Sequence, residues 1–350
     1  MKKLNRPLVT ILSGGLSSED YLSRRSCRVV YDSLIDSPFN LEILDWHKNG
    51  TVEKLSEPGG VVLFRWPSLQ KCFEQYNGDV VFNCLHGENE SAGQIQGFFT
   101  ILGIPYTGNG LASSVIGMDK MISKDIFRRL EILTPMDFLL GHVYSIIPQD
   151  ALDDIKMNGL HYPFLIKATH GGSSEGIALI KKAEDFSRVL EEWSLNDSLK
   201  ECSIFAEEFI DGEEYCIGIF GHGNQGSLIT LPIAKIIFPG KIFGKDTKFN
   251  NEYSIETGLK LPEPIVTDME KAAKDVHRDL HFCGFSRMDF IVDGNSRVYA
   301  LEVNTHPGMS RHSIITGMIK HSKDFSLKEA FIQMINWSIQ DFNDSVAVDD

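Results

Sequence analysis

The apolar positions of this chain fall into short runs, several of them closed by glycine and followed by segments in which apolar residues recur every three or four positions. "PLVTILSGG" is a β-branched run ending in two glycines. Behind it, "SEDYLSRRSCRVVYDSL" has the spacing of an amphipathic helix, with Ser17 or Ser18 placed to cap its N-terminus. "DVVFNCLHG" repeats the strand pattern and "AGQIQGFFTILGI" the helical one. This strand–glycine–helix alternation predicts a parallel sheet with helices on its faces. A glycine- and serine-rich stretch around 108–117 precedes the helical "MDKMISKDIFRRLEI", which sets a boundary near 118.

Further along, "YPFLIKA" and "GIALI" read as strands around the loop "THGGSSEG", and "AEDFSRVLEEWSL" as a helix. "SIFAEEFI", "EEYCIGIFG" and "SLITLPIAKII" are β-rich. The segment 239–254, "PGKIFGKDTKFNNEYS", is polar, carries no period and is long for a plain connection, which suits a lid. An amphipathic helix, "EPIVTDMEKAAKDVHRDLHF", leads into the hairpin "FSRMDFIV", "DGNS", "RVYALEVN". The acidic end "VAVDD" is expected to fray. The pattern predicts a mixed α/β and α+β protein in three parts, 1–118, 119–207 and 208–350, the last carrying the lid.

Composition narrows the functional classes. The 350 residues suit two or three domains, and 42% hydrophobic with 23% charged content is ordinary for a globular protein. A formal net charge of -14 argues against a general binder of nucleic acid or acidic membranes. A small anionic substrate stays compatible if lysine and arginine cluster locally. The six cysteines form no C-x-x-C pair, as expected in a reducing cytosol without a zinc or redox site. No apolar run is long enough for a signal-peptide core or a membrane span, so a cytoplasmic protein is expected.

The strongest chemical signal is "RMDFIVDGNSRVYALEVNTHPGMS". Alternate strand residues share a face, so Arg287 and Asp289 point one way, as do Glu302 and Asn304 on the partner strand. Converging carboxylates, an amide oxygen and a guanidinium would suit Mg²⁺ bridging phosphate oxygens. A solvent-facing strand pair with cross-strand ion pairing is the plainer reading. The apolar Met288, Phe290, Leu301 and Val303 between these positions weigh against it. Lys167 ends an apolar strand, and backbone N–H groups at Gly171, Gly172, Ser173 and Ser174 behind it can line an anion site, or the stretch is a glycine hinge. Neither standard glycine-rich phosphate fingerprint is present. Lys120, in "GMDK", is a second candidate phosphate contact or a surface lysine.

Taken in order, "SGGLSSED", "VVFNCLHG", "QIQGFFTILGIPYTGNGLASSVIGMDK", "YPFLIKATHGGSSEG", "EEFIDGEEY", "RMDF" and "LEVNTHPGMSRHS" resemble the D-alanine–D-alanine ligase family of the ATP-grasp superfamily, from about residue 8 to about 320. The resemblance implies a Rossmann-like pre-ATP-grasp domain followed by a two-sheet ATP-grasp fold, with ATP held between the sheets. It implies that Lys120 and Lys167 contact phosphates together with the loop at Gly172 and Ser174, and that Glu207 and Glu214 contact adenine and ribose. Asp289, Glu302 and Asn304 match the Mg²⁺ ligands, two ions with Mn²⁺ able to substitute. Glu19, partnered by Ser173, matches the residue that holds the first amino acid, with His86 nearby. Arg287, Gly308 and Ser313 match the groups that hold the acyl phosphate and the second substrate's carboxylate, and Lys248 in the lid reaches the γ-phosphate. The implied partners are D-amino acids, as in peptidoglycan synthesis, and a second copy of the chain in a homodimer.

The chain departs from the family pattern in three segments. Phe249 stands where a tyrosine usually follows the lid lysine, and members that make D-alanyl-D-lactate can carry Phe there. "HGENESAG" puts Ser91 and Ala92 in place of an acidic pair, with Glu88 and Glu90 nearby. "LSRRS" places Arg24 and Arg25 on the first helix in place of "V-S-L-x-S". The ATP half of the pattern is kept and the amino-acid half is altered. Three readings follow: a ligase making a D-alanyl dipeptide, a diverged ligase with another second substrate such as D-lactate or another amino acid, and a non-catalytic nucleotide-binding paralogue.

Overall fold

β1 (Leu8–Gly14) pairs in parallel with β2 (Asn40–Trp46) on one side and β5 (Val80–Asn83) on the other. A computed structural model shows this arrangement and describes residues 6–87, 92–171, 175–242, 244 and 252–347. The first sheet has the order β4-β3-β2-β1-β5 and is only partly parallel. β3 (Val52–Leu55) and β4 (Val62–Trp66) were not read as strands from sequence, and both pair antiparallel. The connection from Trp46 to Val52 is a tight turn, too short for the crossover that parallel pairing requires.

Helix α1 (Asp20–Leu34) packs its Val30 and Leu34 on this sheet. Its N-cap is Glu19, not the predicted Ser17 or Ser18. The Ser17 hydroxyl instead donates to the His86 carbonyl at 2.6 Å, which ties the loop after β1 to the loop after β5. Gly14 makes the exit from β1 possible: its φ is +86°, and a Cβ there would lie 2.0 Å from the Trp46 carbonyl oxygen. The other face of the sheet is covered by α2 (Leu69–Phe73) and α3 (Gln94–Leu102), with Phe73 and Phe99 in edge contact.

α4 (Leu111–Met118) and α5 (Lys120–Arg129) are separated by Asp119, whose carboxylate caps α5 by accepting from Met121 N–H and Ile122 N–H. Next comes a four-stranded antiparallel sheet in the order β6-β9-β7-β8. Its strands are β6 (Asp137–His142), β7 (Phe164–Ala168), β8 (Ile177–Ile180) and β9 (Ser203–Glu208). α6 (Pro148–Met157) and α7 (Ala183–Ser194) seal one face with Ile155, Phe186, Leu190 and Trp193.

The largest sheet runs β13-β12-β10-β14-β15, with β11 paired to β10. It is built from β10 (Gly212–His222), β11 (Gln225–Thr230), β12 (Ala234–Ile237), β13 (Ser254–Thr257), β14 (Cys283–Asp293) and β15 (Val298–Asn304). α8 (Glu263–Asp279) presents Ile265, Met269, Ala272 and Val276, at helical spacing, to its back. α9 (Ile314–His321) and α10 (Leu327–Ala347) were missed from sequence. α10 returns to the first sheet, where Phe331 meets Phe82 edge-on at 5.3 Å. That helix runs through Val346 and Ala347, so the predicted fraying end otherwise lies outside the described residues. Among the described residues no helix is long and apolar enough to cross a membrane.

Candidate active site

Strand pleating and register assemble the centre of the site. β14 and β15 pair so that Arg287 faces Asn304 and Asp289 faces Glu302, after which Leu301 is bulged out of the ladder. One face of the hairpin therefore carries all four polar groups, while Met288 and Val303 point into the core behind α8. The Arg287 guanidinium grips Asp289 at two points, Nε to Oδ1 and Nη2 to Oδ2, each at 2.7 Å. Burial works against the arginine's charge, but Asp289 beside it holds its pKa above the ordinary value. It is a fixed cation. The Asn304 side-chain oxygen accepts from His306 N–H at 3.0 Å, which aims the amide along the strand end.

Two cavities meet at this hairpin. The smaller, about 80 Å³, is lined by Lys167, Glu207, Glu214, Asp289 and the apolar Leu165, Ile236 and Ile291. The larger, about 340 Å³, is lined by Glu19, His86, Lys120, Asn304, Gly308 and Ser313. Arg287 and Glu302 line both. Lys167, Glu207 and Glu214, assigned to nucleotide, thus line one chamber and Glu19, His86, Gly308 and Ser313 the adjoining one, while Lys120, assigned to phosphate, lines the second, with a carboxylate and a guanidinium at the junction.

Lys167, buried at the end of β7, forms an ion pair with Glu207 on the neighbouring strand β9. Glu207 is itself fully buried and also meets the Lys124 ammonium at 2.8 Å. Burial raises the pKa of this carboxylate, and the two ammoniums more than offset it, so Glu207 stays ionised below its usual range. Lys120 donates to the Gly171 carbonyl at 3.0 Å and lies 3.6 Å from Glu302, which spans the distance from the loop to the metal-type ligands. His86 lies against Ser26 Oγ (3.1 Å) and against the His306 ring, with centroids 5.1 Å apart. Burial, and for His86 also the neighbouring His306, pushes both down, to about 3 and about 4, so both are neutral at pH 7. Gly308 packs closely on this loop: a Cβ there would lie 2.9 Å from Ser313 Oγ, which accepts from Ser310 N–H at 3.0 Å.

Several expected residues, Gly172, Ser173, Ser174, Lys248 and Phe249, lie outside the described residues, as do Glu88, Glu90 and Ser91. The described flanks of the lid segment border both chambers: Lys241 and Ile242 the smaller, Tyr253 the larger.

Sequence reasoning missed Lys124, Asp137, His306, Tyr253 and the position of Arg25. Lys124 is completely buried and donates to Thr134 Oγ1 (2.8 Å) and the Pro135 carbonyl (3.0 Å), and it lies 3.5 Å from Asp137. Its spacing four residues after Lys120 was the available signal, since positions i and i+4 share a helix face. His306 lines the larger cavity, and its Nε2 is shielded from solvent with no hydrogen-bond partner among the described residues.

A second cluster, His222, Cys283 and Asp341, brings three metal-type ligand atoms within 4.8 Å of one another. The Asn224 N–H donates to His222 Nδ1 at 3.2 Å, which puts the ring proton on Nε2, 2.9 Å from the Asp341 carboxylate. The cluster is thereby a clasp that fastens α10 to the end of β10.

A Rossmann-like sheet followed by two antiparallel sheets, with cationic and acidic residues facing one another between them, is the ATP-grasp architecture. The family model described as "D-ala D-ala ligase N-terminus" matches residues 8–109, and "D-ala D-ala ligase C-terminus" matches 133–335. The D-alanine–D-alanine ligase of Acinetobacter baumannii (strain AYE) is 30% identical over 336 residues, 95% of this chain and 96% of that one. The fold is shared with the D-alanine–D-alanine ligase from Coxiella burnetii, at TM-score 0.80 and 21% identity, covering 98% and 97% of the two chains. It is shared too with VanG D-Ala:D-Ser ligase from Enterococcus faecalis, at TM-score 0.78 and 22% identity, covering 95% and 99%. The chain belongs to the D-alanine–D-alanine ligase family.

Proposed function

We propose that this protein is an ATP-dependent ligase that joins D-alanine to a second D-amino acid through an acyl phosphate. The observation that carries the reading is the meeting of two chambers at Arg287 and Glu302, which would set a γ-phosphate against a carboxylate. ATP would lie in the smaller chamber, its base among Leu165, Ile236 and Ile291, with Lys167 and Lys120 toward the phosphates and Glu207 and Glu214 toward adenine and ribose. Gly172, Ser174 and Lys248 are assigned to phosphate contact on sequence grounds alone, and Ser173 to the first substrate beside Glu19.

Two carboxylates and an amide oxygen on one hairpin face form an all-oxygen donor set suited to a hard cation such as Mg²⁺. Asp289, Glu302 and Asn304 would hold it. When bound, the ion neutralises phosphate charge and aligns the transferring group. In the first step a carboxylate oxygen of the first amino acid attacks the γ-phosphorus. The bond to the β-phosphate oxygen breaks, giving ADP and an acyl phosphate. Arg287 and the lysines offset the negative charge on the equatorial oxygens. In the second step the neutral amine of the second amino acid attacks the acyl carbon and loses a proton, and phosphate leaves from the tetrahedral intermediate. Glu19, at the mouth of α1, would hold the first substrate's ammonium, and Gly308 and Ser313 the second substrate's carboxylate. The segment 239–254, assigned as a lid on sequence grounds alone, would exclude water, which would otherwise hydrolyse the acyl phosphate.

Phe249, Ser91 and Ala92 favour a second reading within the same chemistry, a changed second substrate such as D-lactate or another amino acid. The retained phosphate and metal-type groups weigh against a non-catalytic paralogue. Cytoplasmic location, a role in peptidoglycan synthesis and a homodimer complete the proposal and rest on family membership. The test is phosphate release from Mg·ATP with a panel of D-amino and D-hydroxy acids. Release that depends on an added D-amino acid supports the ligase, and no release with any pair rejects it. Gel filtration with light scattering tests the dimer.

A further inference from the structure

The two arginines of "LSRRS" on α1, Arg24 at the leucine of the family's V-S-L-x-S and Arg25 at its open position, go to different places. Arg24 turns to the sheet: its Nε lies 2.9 and 3.0 Å from the Asp45 oxygens, and its Nη1 lies 2.5 Å from Asp20. Arg25 instead lines the larger chamber. Its guanidinium lies over the Tyr21 ring at 5.4 Å, and among the described residues no carboxylate is within ion-pair distance of it.

The fold also says which end of the chamber Arg25 serves. It lies six residues beyond Glu19 on the same helix, or about 9 Å further along the axis. The next residue, Ser26, accepts from Met309 N–H at 3.3 Å, and Asp32 meets Arg311 at 3.4 Å. This stretch of α1 therefore runs beside the loop that carries Gly308 and Ser313. His312, Ser313 and Ile314 line the same chamber. Arg25 belongs to the second amino acid's end, while Arg287 is engaged by Asp289.

We propose that Arg25 binds a side-chain carboxylate of the second amino acid, so that the acceptor is a dicarboxylic D-amino acid. This rests on the ligase reading above. A guanidinium offers a planar fork that matches a carboxylate at two points, and a charge-assisted contact of this kind is the strong form of hydrogen bond. An acceptor without the carboxylate leaves Arg25 solvated over Tyr21, at little cost, so D-alanine is used less well but not rejected. A cationic acceptor meets like charge.

The experiment supplies Mg·ATP and D-alanine with each of D-alanine, D-serine, D-lactate, D-aspartate, D-glutamate and D-lysine as acceptor, reading phosphate and identifying each product by mass. D-aspartate or D-glutamate should exceed D-alanine in kcat/KM by roughly 10-fold or more, a typical effect of one charge-assisted contact. Arg25→Gln should remove that excess, and Arg25→Glu should move preference toward D-lysine. Arg25 is exposed on a helix surface, so both variants should melt as the wild type does. D-alanine preferred over both acidic acceptors, or an acidic preference that survives Arg25→Gln, overturns the inference while leaving the ligase reading intact. No phosphate with any pair overturns the ligase reading, and this inference with it.

Discussion

Arg287 and Asp289, two residues apart on β14, form a two-point ion pair at the place where both chambers open, and Asp289 at the same time faces Glu302 across the ladder. The carboxylate that would bind the metal is thus already held by the guanidinium that would meet the transferring phosphate. Asp289→Asn weakens both. Phosphate release should fall by a factor of roughly 10²–10³, the usual loss for one preorganised electrostatic group. The Mg²⁺ concentration for half-maximal rate should rise about tenfold or more. Steady-state rates across an Mg²⁺ series check both, and a wild-type rate in the variant would remove Asp289 from the site.

Lys167 is fixed by its buried pairing with Glu207, so its ammonium arrives at the nucleotide chamber already oriented. Lys167→Met should lower turnover by about 10²–10³. Lys167→Gln should not restore it, because a neutral amide leaves both Glu207 and the phosphates under-compensated. Single-turnover phosphate release distinguishes this from weaker ATP binding alone.

The buried group of Lys124, Glu207 and Asp137 makes a stability prediction independent of catalysis. Lys124→Met removes one of two cationic partners from each of two buried carboxylates, leaving Glu207 to Lys167 and Asp137 to Arg128, and should cost about 1–3 kcal/mol. Asp137, whose pKa is already raised by burial, would then take up a proton more readily. Pairing Lys124→Met with Glu207→Gln should recover part of the loss. Chemical denaturation of the three proteins measures it.

Burial holds His86, His306 and His277 neutral in the folded protein, at about 3, about 4 and about 4, against an ordinary value of 6.5. A depressed folded-state value means that their contribution to stability is complete above pH 6.5 and is lost as pH falls from there through about 4, and for His86 through about 3. At pH 5, unfolding should take up about three protons at these positions, and about two in His306→Gln. The slope of unfolding free energy against pH reads this number, and equal slopes in the two proteins would contradict it.

Gly308→Ala places a methyl 2.9 Å from Ser313 Oγ. The Ser310–Ser313 contact should shift, raising KM for the second amino acid several-fold with little effect on KM for ATP. Equal changes in both constants would remove the loop from the second subsite.

The hairpin was legible in sequence because strands alternate with period two, so "RMDFIV" and "ALEVN" declare which side chains share a face without any knowledge of the fold. The strand ending at Lys167 was legible for a similar reason, as an apolar run halted by one charge. What brings Lys124 on α5 to Glu207 on β9 is a tertiary contact that no local period encodes. His306 was hidden inside a motif whose other residues drew the reading, and its significance comes from its neighbour His86, 220 positions away in sequence. β3 and β4 were missed because they extend a parallel sheet in the opposite sense, which helix–strand alternation does not announce. The helix cap was misplaced because α1 begins only at Asp20: the Ser17 hydroxyl donates to the His86 carbonyl and accepts from Glu19 N–H, ahead of the first turn.

In the proposed reaction the first substrate's carboxylate attacks the γ-phosphate at the junction of the two chambers. Incubating the enzyme with Mg·ATP, the acceptor and D-alanine carrying ¹⁸O in its carboxylate tests it directly. One ¹⁸O should appear in each phosphate released with product, since the carboxylate oxygen bonded to phosphorus departs with it. Unlabelled phosphate accompanying product would show that the carboxylate was never phosphorylated and would rule out an acyl phosphate intermediate.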